Sequence, residues 1–227
     1  VMLSRTLFWY FGHPLVYFWL LPAYIIWYIS LPKLIGSHIF SDSLARLAFI
    51  LLLIFSFPVG FHHELTEPGI SEGWKYLQVG LTLAVVFPSM MTAFAVVGTL
   101  EQAGRKKGGK GLLGWMGKLP WGDARFLGMF VAMLAFIPVG ATGIINASFQ
   151  LNQVVHNTLF IVGHFHLAIA TTTVLTFFAA SYYLIPSLTG RVWTANMNRL
   201  GIFQVLLWGG GMILMAIAMY INGLLGE

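Results

Sequence analysis

Long apolar stretches alternate with short polar segments along the whole chain. Six such stretches cover residues 3–31, 44–61, 76–100, 124–147, 158–186 and 199–224. Each approaches or exceeds the roughly 20 residues that an α-helix needs to cross the hydrocarbon core of a bilayer. The strict alternation of apolar and polar residues that marks membrane β-barrel strands is absent. The pattern predicts an all-α, polytopic transmembrane bundle of six membrane-spanning helices over residues 1–227, without a separate soluble domain.

The composition supports a membrane protein. Hydrophobic residues make up 58% of the chain and charged residues only 8%, whereas a typical soluble domain is about 25% charged. Because cysteine is absent, disulfides and thiolate metal sites are excluded. The net charge of +5 lies in short loops between apolar stretches, so it indicates membrane orientation and not a nucleic-acid partner.

The basic residues are distributed unequally between the two sides of the predicted bundle. Ten of the 12 lysines and arginines fall on one side, and only Arg5 and Lys75 fall on the other. Cytoplasmic loops carry such an excess, so loops 32–45, 102–123 and 189–199 are predicted to be cytoplasmic. The chain begins with Val1 and ends just after an apolar stretch, and we expect it to be a fragment of a longer protein.

Six of the seven histidines fall at one predicted depth, near the outer ends of three helices. Ionisable groups inside a membrane are costly and usually functional. A single intramembrane histidine often serves only as a hydrogen-bonding group between helices, but six at one level predict a buried site. They are His13 of the first helix, His62 and His63 at the end of the second, and His156, His164 and His166 near the start of the fifth.

The segment GHFH places His164 and His166 two residues apart. A helix turns about 100° per residue, so the two side chains point about 200° apart, to opposite sides of the helix. One metal ion cannot bind both, whereas two metals can. Since histidine is a common axial ligand of haem iron, the spacing predicts a helix that lies between two haems.

His62 and His63 can reach one ion, with His13 as its third ligand. Three neutral imidazoles without thiolate or carboxylate suit copper, zinc or iron. Such an ion facing an open haem position would form a pocket for a small diatomic ligand. Tyr17 lies four residues after His13 on the same helix face, where its phenol could give one electron and one proton. Taken alone, aromatic packing is the simpler interpretation of Tyr17.

Four segments in order resemble the catalytic subunit I of haem–copper oxygen reductases. They are GHPLVYFWLLPAY (12–24), PVGFHHELTEPG (58–69), PSMMTAF (88–94) and NASFQLNQVVHNTLFIVGHFHL (146–167). The resemblance covers essentially the whole chain and corresponds to about the sixth to eleventh helices of the B family. Leu15 stands where the A family has a glutamate of a proton path, which favours the B family.

For the copper site, the resemblance implies that His13, His62 and His63 are the ligands. It also implies that Tyr17 is the redox-active catalytic tyrosine, bonded covalently to His13. The implied cofactors are one copper ion and two haems, one low-spin and one high-spin.

For the haems, the resemblance implies that His164 is the proximal ligand of the high-spin haem and that His166 is an axial ligand of the low-spin haem. His156, Asn146 and Asn152 are implied to lie near haem propionates. An aspartate is expected at position 152, so Asn152 is a departure from the B-family pattern.

Hydroxyl groups predict a proton path from the cytoplasmic side to this site. Three tyrosines at i, i+7 and i+11 lie within about 20° of one helix face, and hydroxyls both donate and accept hydrogen bonds. Ala95 stands where the B family has a further hydroxyl, and an aromatic belt with helix-packing hydroxyls is the alternative. The tyrosines begin with Tyr17, and the predicted path residues are Tyr24, Tyr28, Ser89 and Thr92.

The implied function is that of a terminal respiratory oxidase, which reduces dioxygen to water and couples this to proton translocation. The implied partners are an oxidase subunit II with an electron-entry copper centre, cytochrome c or a similar donor, membrane lipid and dioxygen. The implied location is a prokaryotic plasma membrane, in which the chain is a multi-pass protein.

Two other functions remain open. A nitric oxide reductase on the same scaffold would use non-haem iron and extra carboxylates. Glu64, expected in an outer loop beside His63, is the one acid that favours it. A transporter with a histidine-lined cavity would explain intramembrane histidines, but not two ligands on opposite sides of one helix.

Overall fold

Helices account for all of the regular structure. The computed structural model describes all 227 residues and has no strands, which confirms the all-α prediction. Two short 3-10 turns, Phe61–Glu64 and Met116–Lys118, and a π-helical segment, His166–Thr173, interrupt the α-helices. The α-helices are α1 (Met2–Ile35), α2 (Asp42–Ser56), α3 (Glu72–Ala84), α4 (Val86–Lys106), α5 (Ala124–Ala147), α6 (Phe149–Val155), α7 (Leu159–Phe165), α8 (Val174–Thr189) and α9 (Ala195–Leu224).

Five helical segments are long and apolar enough to cross a membrane, and the chain is a multi-pass membrane protein. They correspond to α1, α3 with α4, α5, α7 through α8, and α9. The predicted second span is only partly helical, because α2 has 15 residues and is about 22 Å long, short of the roughly 30 Å hydrocarbon core. The predicted count of six spans is therefore not confirmed.

The helix α2 ends just before Pro58, whose ring nitrogen has no hydrogen to donate to the carbonyl four residues earlier. Residues 57 and 58 then form a turn, and residues 59 and 60, which have no regular structure, lead into the turn Phe61–Glu64. The prediction that His62 and His63 end the second helix is therefore wrong, because they lie on this separate turn.

A helix break and a π-helix divide two of the predicted stretches. The stretch 76–100 is longer than predicted and breaks at Val85, between α3 and α4. Pro88 cannot donate to the carbonyl of Ala84, four residues earlier, which favours a break there. Between α7 and α8 the π segment contains buried threonines, and Thr171 Oγ1 donates to the carbonyl of His166 five residues earlier (3.3 Å).

The connecting segments are shorter than predicted because the helices extend into them. Helix α1 continues to Ile35, α4 continues to Lys106, and α9 begins at Ala195. Lys75 was expected in an outer loop, but it lies in the first turn of α3. There it is nearly buried and forms an ion pair with Glu72 (3.3 Å).

An apolar core packs α1, α4, α5 and α8 together, next to the cavity that contains the histidines. Tyr24, Leu31, Phe126 and Leu175 are among its fully buried members. A hydrogen bond also crosses the core, because Trp27 Nε1 of α1 donates to Thr176 Oγ1 of α8 (3.0 Å). The core thereby fixes α1 against α8, and these helices carry or flank the predicted site.

Candidate metal centre

A mostly apolar cavity of about 390 Å³ lies between α1, α3, α4, α5 and the junction of α7 with the π segment. The three predicted copper ligands line it together with Tyr17 and His164; the copper ligands are His13, His62 and His63. The cavity thus brings residues from three separate parts of the chain to one place.

Three of these histidines form a compact cluster. One ring nitrogen from each of His13, His62 and His63 lies within 4.8 Å of the others, and His13 Nδ1 is 3.0 Å from His63 Nε2. Ligands about 2 Å from one ion lie at most about 4 Å apart, so a small rotation of the imidazoles is enough to complete the set. The cluster therefore fits a single metal ion with three imidazole ligands.

A threonine of α3 fixes the proton of His62. Thr82 Oγ1 donates its hydrogen to the carbonyl of Gln78 (2.7 Å) and contacts Nδ1 of His62 (3.1 Å). A hydroxyl has one hydrogen, so His62 Nδ1–H must be the donor in the second contact. Nε2 of His62 is then unprotonated and available to a metal ion.

The other two histidines of the cluster are held by α1. The His63 ring stacks on the Trp9 indole, with ring centroids 3.9 Å apart and planes inclined by 18°. Tyr17 lies one turn after His13 on α1, with ring centroids 4.7 Å apart. His13 Nδ1 faces His63, and the other ring nitrogen of His13, Nε2, is buried without a hydrogen-bond partner.

His164 faces the same cavity from α7. Thr142 Oγ1 donates to the carbonyl of Pro138 (2.8 Å) and lies 2.9 Å from Nδ1 of His164. By the argument used for His62, Nδ1–H is the donor, and Nε2 of His164 is unprotonated. Tyr220 of α9 also contacts the Thr142 hydroxyl, at 3.3 Å, so two neighbouring helices orient this histidine.

His166 does not line the cavity, although it lies only two residues after His164. Its Nδ1 is 2.8 Å from the carbonyl of Val162. A carbonyl oxygen can only accept, so Nδ1 carries the hydrogen and Nε2 is free. The two histidines thus offer unprotonated nitrogens in different surroundings, that of His164 in the cavity lining and that of His166 outside it.

The residues predicted near haem propionates lie together, with two partners that sequence reasoning missed. His156 Nε2 is 3.2 Å from Glu67 Oε1, and Arg5 forms an ion pair with the same oxygen (2.7 Å). Asn152 Nδ2 donates to the carbonyl of Asn146 (2.7 Å). The Oδ1 atoms of both asparagines are buried without a partner. The only feature of the sequence that could have pointed to Arg5 and Glu67 is that charged residues are rare in this chain, at 8%.

The hydroxyl residues of the predicted proton path are brought together in part. Tyr28 and Thr92 share a hydrogen bond of 2.5 Å. Tyr17, Tyr24 and Ser89 all line the cavity, and the Tyr24 hydroxyl is buried without a partner. No direct hydrogen bond joins Tyr28 to Tyr24, so a proton would need bound water for that step.

Glu64 is not the outer-loop residue that the sequence predicts. It follows His63 on the 3-10 turn and is fully buried. Thr6 Oγ1 approaches one carboxylate oxygen at 3.5 Å, and the other oxygen has no partner. The short polar stretch around Glu64 is typical of an exposed loop, and the tertiary contacts that bury this turn cannot be predicted from the sequence.

Comparison with known proteins gives one consistent result. The family model described as cytochrome c and quinol oxidase polypeptide I matches residues 1–227. Cytochrome c oxidase subunit 1 of Thermus thermophilus is 51% identical over 224 residues, which are 99% of this chain and 40% of that protein. Cytochrome c oxidase polypeptide 1 of Halobacterium salinarum is 31% identical over 91% of this chain and 34% of the relative. Quinol oxidase subunit 1 of Sulfolobus acidocaldarius is 26% identical over 99% of this chain and 41% of the relative.

A solved structure of a haem–copper terminal oxidase dimer has the same fold. It superposes with a TM-score of 0.91 at 40% sequence identity, over 99% of this chain and 40% of that one. The chain therefore spans about 40% of the length of the Thermus relative and of this structure. The fold, the histidine cavity and the match over every residue lead to one conclusion: the chain belongs to the cytochrome c and quinol oxidase polypeptide I family.

Proposed function

We propose that this chain is part of the membrane-embedded catalytic domain of a terminal respiratory oxidase. The proposed enzyme reduces dioxygen to water at a haem–copper centre and couples this to proton translocation. The observation that carries the proposal is the cavity in which His13, His62 and His63 converge, with His164 in the same lining. Family membership implies haem and copper cofactors.

The residues present fit these cofactors. His13, His62 and His63 would hold the copper ion, and the free Nε2 of His62 supports this. His164 would bind the high-spin haem iron through its free Nε2, while His166 would bind the low-spin haem iron outside the cavity. Bound in these positions, the metals supply electrons and the binding site for dioxygen.

The propionates of a haem would meet acceptors and donors at one edge of the cavity. His156, Asn146 and Asn152 would lie against them, and the buried, unpartnered Oδ1 atoms of the two asparagines support a ligand that brings hydrogen-bond donors, such as ordered water or a protonated carboxyl. Glu67 contacts Nε2 of His156, and Arg5 pairs with the same Glu67 oxygen.

The chain's own contribution to the reaction is proton supply and a redox-active side chain. Tyr17 lies beside His13 in the cavity, where its phenol can give one proton and one electron. Tyr28 and Thr92 would pass protons toward Tyr24 and Ser89 through bound water, since hydroxyls both accept and donate. We propose a covalent bond between Tyr17 and the ring of His13, as in the B family.

The proposed setting follows from the same family. The partners are an oxidase subunit II with an electron-entry copper centre and an electron donor such as cytochrome c. The location is a prokaryotic plasma membrane, with loops 32–45, 102–123 and 189–199 on the cytoplasmic side.

Metal analysis of the full subunit, purified with its partners, tests the proposal. Two haems and one copper ion are expected. His164→Ala should abolish carbon monoxide binding to the reduced enzyme and leave the low-spin spectrum, and His166→Ala should do the reverse. Loss of both spectra from either substitution in a folded enzyme would refute the two-haem assignment.

One observation favours a second candidate, a nitric oxide reductase on the same scaffold. Glu64 is a buried carboxylate directly after His63, with one oxygen unpartnered, and carboxylates suit a harder metal than copper. Stoichiometric non-haem iron in place of copper would establish that candidate. A histidine-lined transporter would instead contain no haem.

A further inference from the structure

The side chain of Gln78 in α3 makes three hydrogen bonds, and all of them go to the backbone that leads into the His62–His63 turn. Its Oε1 accepts from the N–H groups of Gly60 (3.0 Å) and Phe61 (3.3 Å). Its Nε2 donates to the carbonyl of Pro58 (3.0 Å). The side chain is only 1% exposed, so water does not compete for these groups.

The segment from Pro58 to Phe61 needs these partners. It lies between the end of α2 and the turn, so no helix satisfies the N–H groups of Gly60 and Phe61 or the carbonyl of Pro58. A buried unpaired peptide group is costly. Gly60 also packs directly against α1, where a Cβ atom would lie 2.3 Å from the carbonyl oxygen of Trp9. Gln78 on one side and Trp9 on the other therefore fix this segment between two helices.

The backbone of Gln78 acts on the same turn. Its carbonyl accepts the hydrogen of the Thr82 hydroxyl (2.7 Å), which leaves that hydroxyl to accept from His62 Nδ1–H. One residue of α3 thus sets both the position of the turn and, through Thr82, the orientation of His62.

We propose that Gln78 is a positioning residue for the copper centre. Its carboxamide clamps residues 58–61 so that His62 and His63 present their nitrogens to one ion together with His13. The inference rests on the proposed copper site, and it adds a residue that does not itself touch the metal. Outer partners of metal ligands commonly change metal affinity by about 10- to 100-fold when they are removed.

The test uses the holoenzyme with Gln78→Leu, which keeps the side-chain volume and removes all three hydrogen bonds. Copper affinity is expected to fall about 10- to 100-fold, with both haems retained. The infrared stretch of carbon monoxide bound to the reduced copper should broaden and shift, because the ligands are no longer held in one arrangement. Gln78→Glu keeps an oxygen that can accept from the Gly60 and Phe61 N–H groups, so it should lose less copper than Gln78→Leu.

Gln102→Leu is the matched control, because Gln102 is exposed on α4 and accepts a single long bond from Ser37 (3.4 Å). It should keep the copper content and the carbon monoxide band of the wild type. Wild-type copper affinity and an unchanged band in Gln78→Leu would overturn the inference. If Gln78→Leu fails to assemble, Gln78→Met replaces it, because methionine fills a similar volume and also removes the three hydrogen bonds; the same unchanged values in Gln78→Met would then overturn the inference. Absence of copper from the wild-type holoenzyme would instead refute the proposed function, so the two failures are distinguishable.

Discussion

At the scale of single residues, three of the five proposed metal-ligand histidines are oriented by a hydrogen bond to the ring nitrogen that would not bind the metal. Thr82 holds Nδ1 of His62, and Thr142 holds Nδ1 of His164. The carbonyl of Val162 holds Nδ1 of His166. Such outer partners fix the tautomer and the ring orientation. Metal binding should therefore depend on Thr82 and Thr142 as well as on the histidines that they orient.

Thr142→Val is predicted to loosen His164 without removing it. The valine keeps the shape of threonine but cannot accept from Nδ1–H, so the imidazole becomes free to rotate and is a weaker donor to iron. The iron–histidine stretch in the resonance Raman spectrum of the reduced enzyme should shift, and turnover should fall about 10- to 100-fold. Thr189→Val is the control, since Thr189 is exposed and bonds only the carbonyl of Ile185 in its own helix (2.8 Å). An unshifted stretch in Thr142→Val would show that the threonine only packs.

Tyr17→Phe is predicted to separate chemistry from binding. The ring still fills its place beside His13, so haem and copper should remain bound with normal spectra. Loss of the phenol hydroxyl removes the nearby source of one proton and one electron. Steady-state turnover should therefore fall to a small fraction of the wild-type rate. Single-turnover kinetics of the reduced enzyme should show normal oxygen binding and a defect at bond cleavage. Near-normal turnover would return Tyr17 to a packing role.

At the scale of helices, close contacts between backbones place α7, which carries His164. A Cβ atom on Gly223 of α9 would lie 2.1 Å from the backbone nitrogen of Phe160 in α7. Glycines at such contacts let membrane helices approach closely. The position of His164 in the cavity therefore depends on a residue of another helix that touches no cofactor.

Gly223→Ala is predicted to push α7 away from α9. Overpacking of this kind costs about 1–3 kcal/mol, so thermal loss of the haem absorption should occur at lower temperature. If α7 also rotates as it moves, the high-spin haem should be lost before the low-spin haem, because its proposed ligand His164 lies on α7. Gly210→Ala is the control, because it lies on the same helix and a Cβ atom there meets nothing within 4 Å. Equal stability of the two variants would contradict the predicted contact.

The sequence predicted the elements whose signal is local. The stretch 124–147 coincides with α5, because a long apolar run bounded by polar residues needs no tertiary information. The histidine set was also recognisable, since imidazoles are rare in apolar segments. Gln78, Thr142 and the turn at Phe61–Glu64 were missed, because their roles depend on residues distant in sequence.

At the scale of the whole molecule, the proposed proton path would use hydroxyl groups of two helices, α1 and α4. Within this proposed path, the hydroxyl groups of Tyr28 in α1 and Thr92 in α4 are joined by a direct hydrogen bond. The step from there to Tyr24 is open, and the buried Tyr24 hydroxyl lacks a partner. The proposed path therefore needs bound water between Tyr28 and Tyr24. Removal of one hydroxyl should slow proton supply most at the entrance, which we place at Tyr28.

Tyr28→Phe is predicted to slow turnover by limiting proton supply, with the metal spectra unchanged. The ring is kept and only the hydroxyl that bonds Thr92 is lost. In enzyme reconstituted into vesicles, oxygen binding should be normal, and the later proton-coupled steps should slow. Tyr10→Phe is a suitable control, since Tyr10 is largely exposed and makes no hydrogen bond through its hydroxyl. Wild-type rates in Tyr28→Phe would place the proton entrance elsewhere.

The π-helical segment His166–Thr173 has a consequence for the way this chain tolerates changes in length. Each of its turns closes over one more residue than an α-helical turn, while α7 is fixed against α9 and α8 is tied to α1 through Thr176 and Trp27. Deletion of one residue inside the segment can be absorbed by a return to α-helical turns. The same deletion within α8 would rotate every later side chain by about 100°. In an alignment of relatives, single-residue gaps in this helix should therefore concentrate between residues 166 and 173.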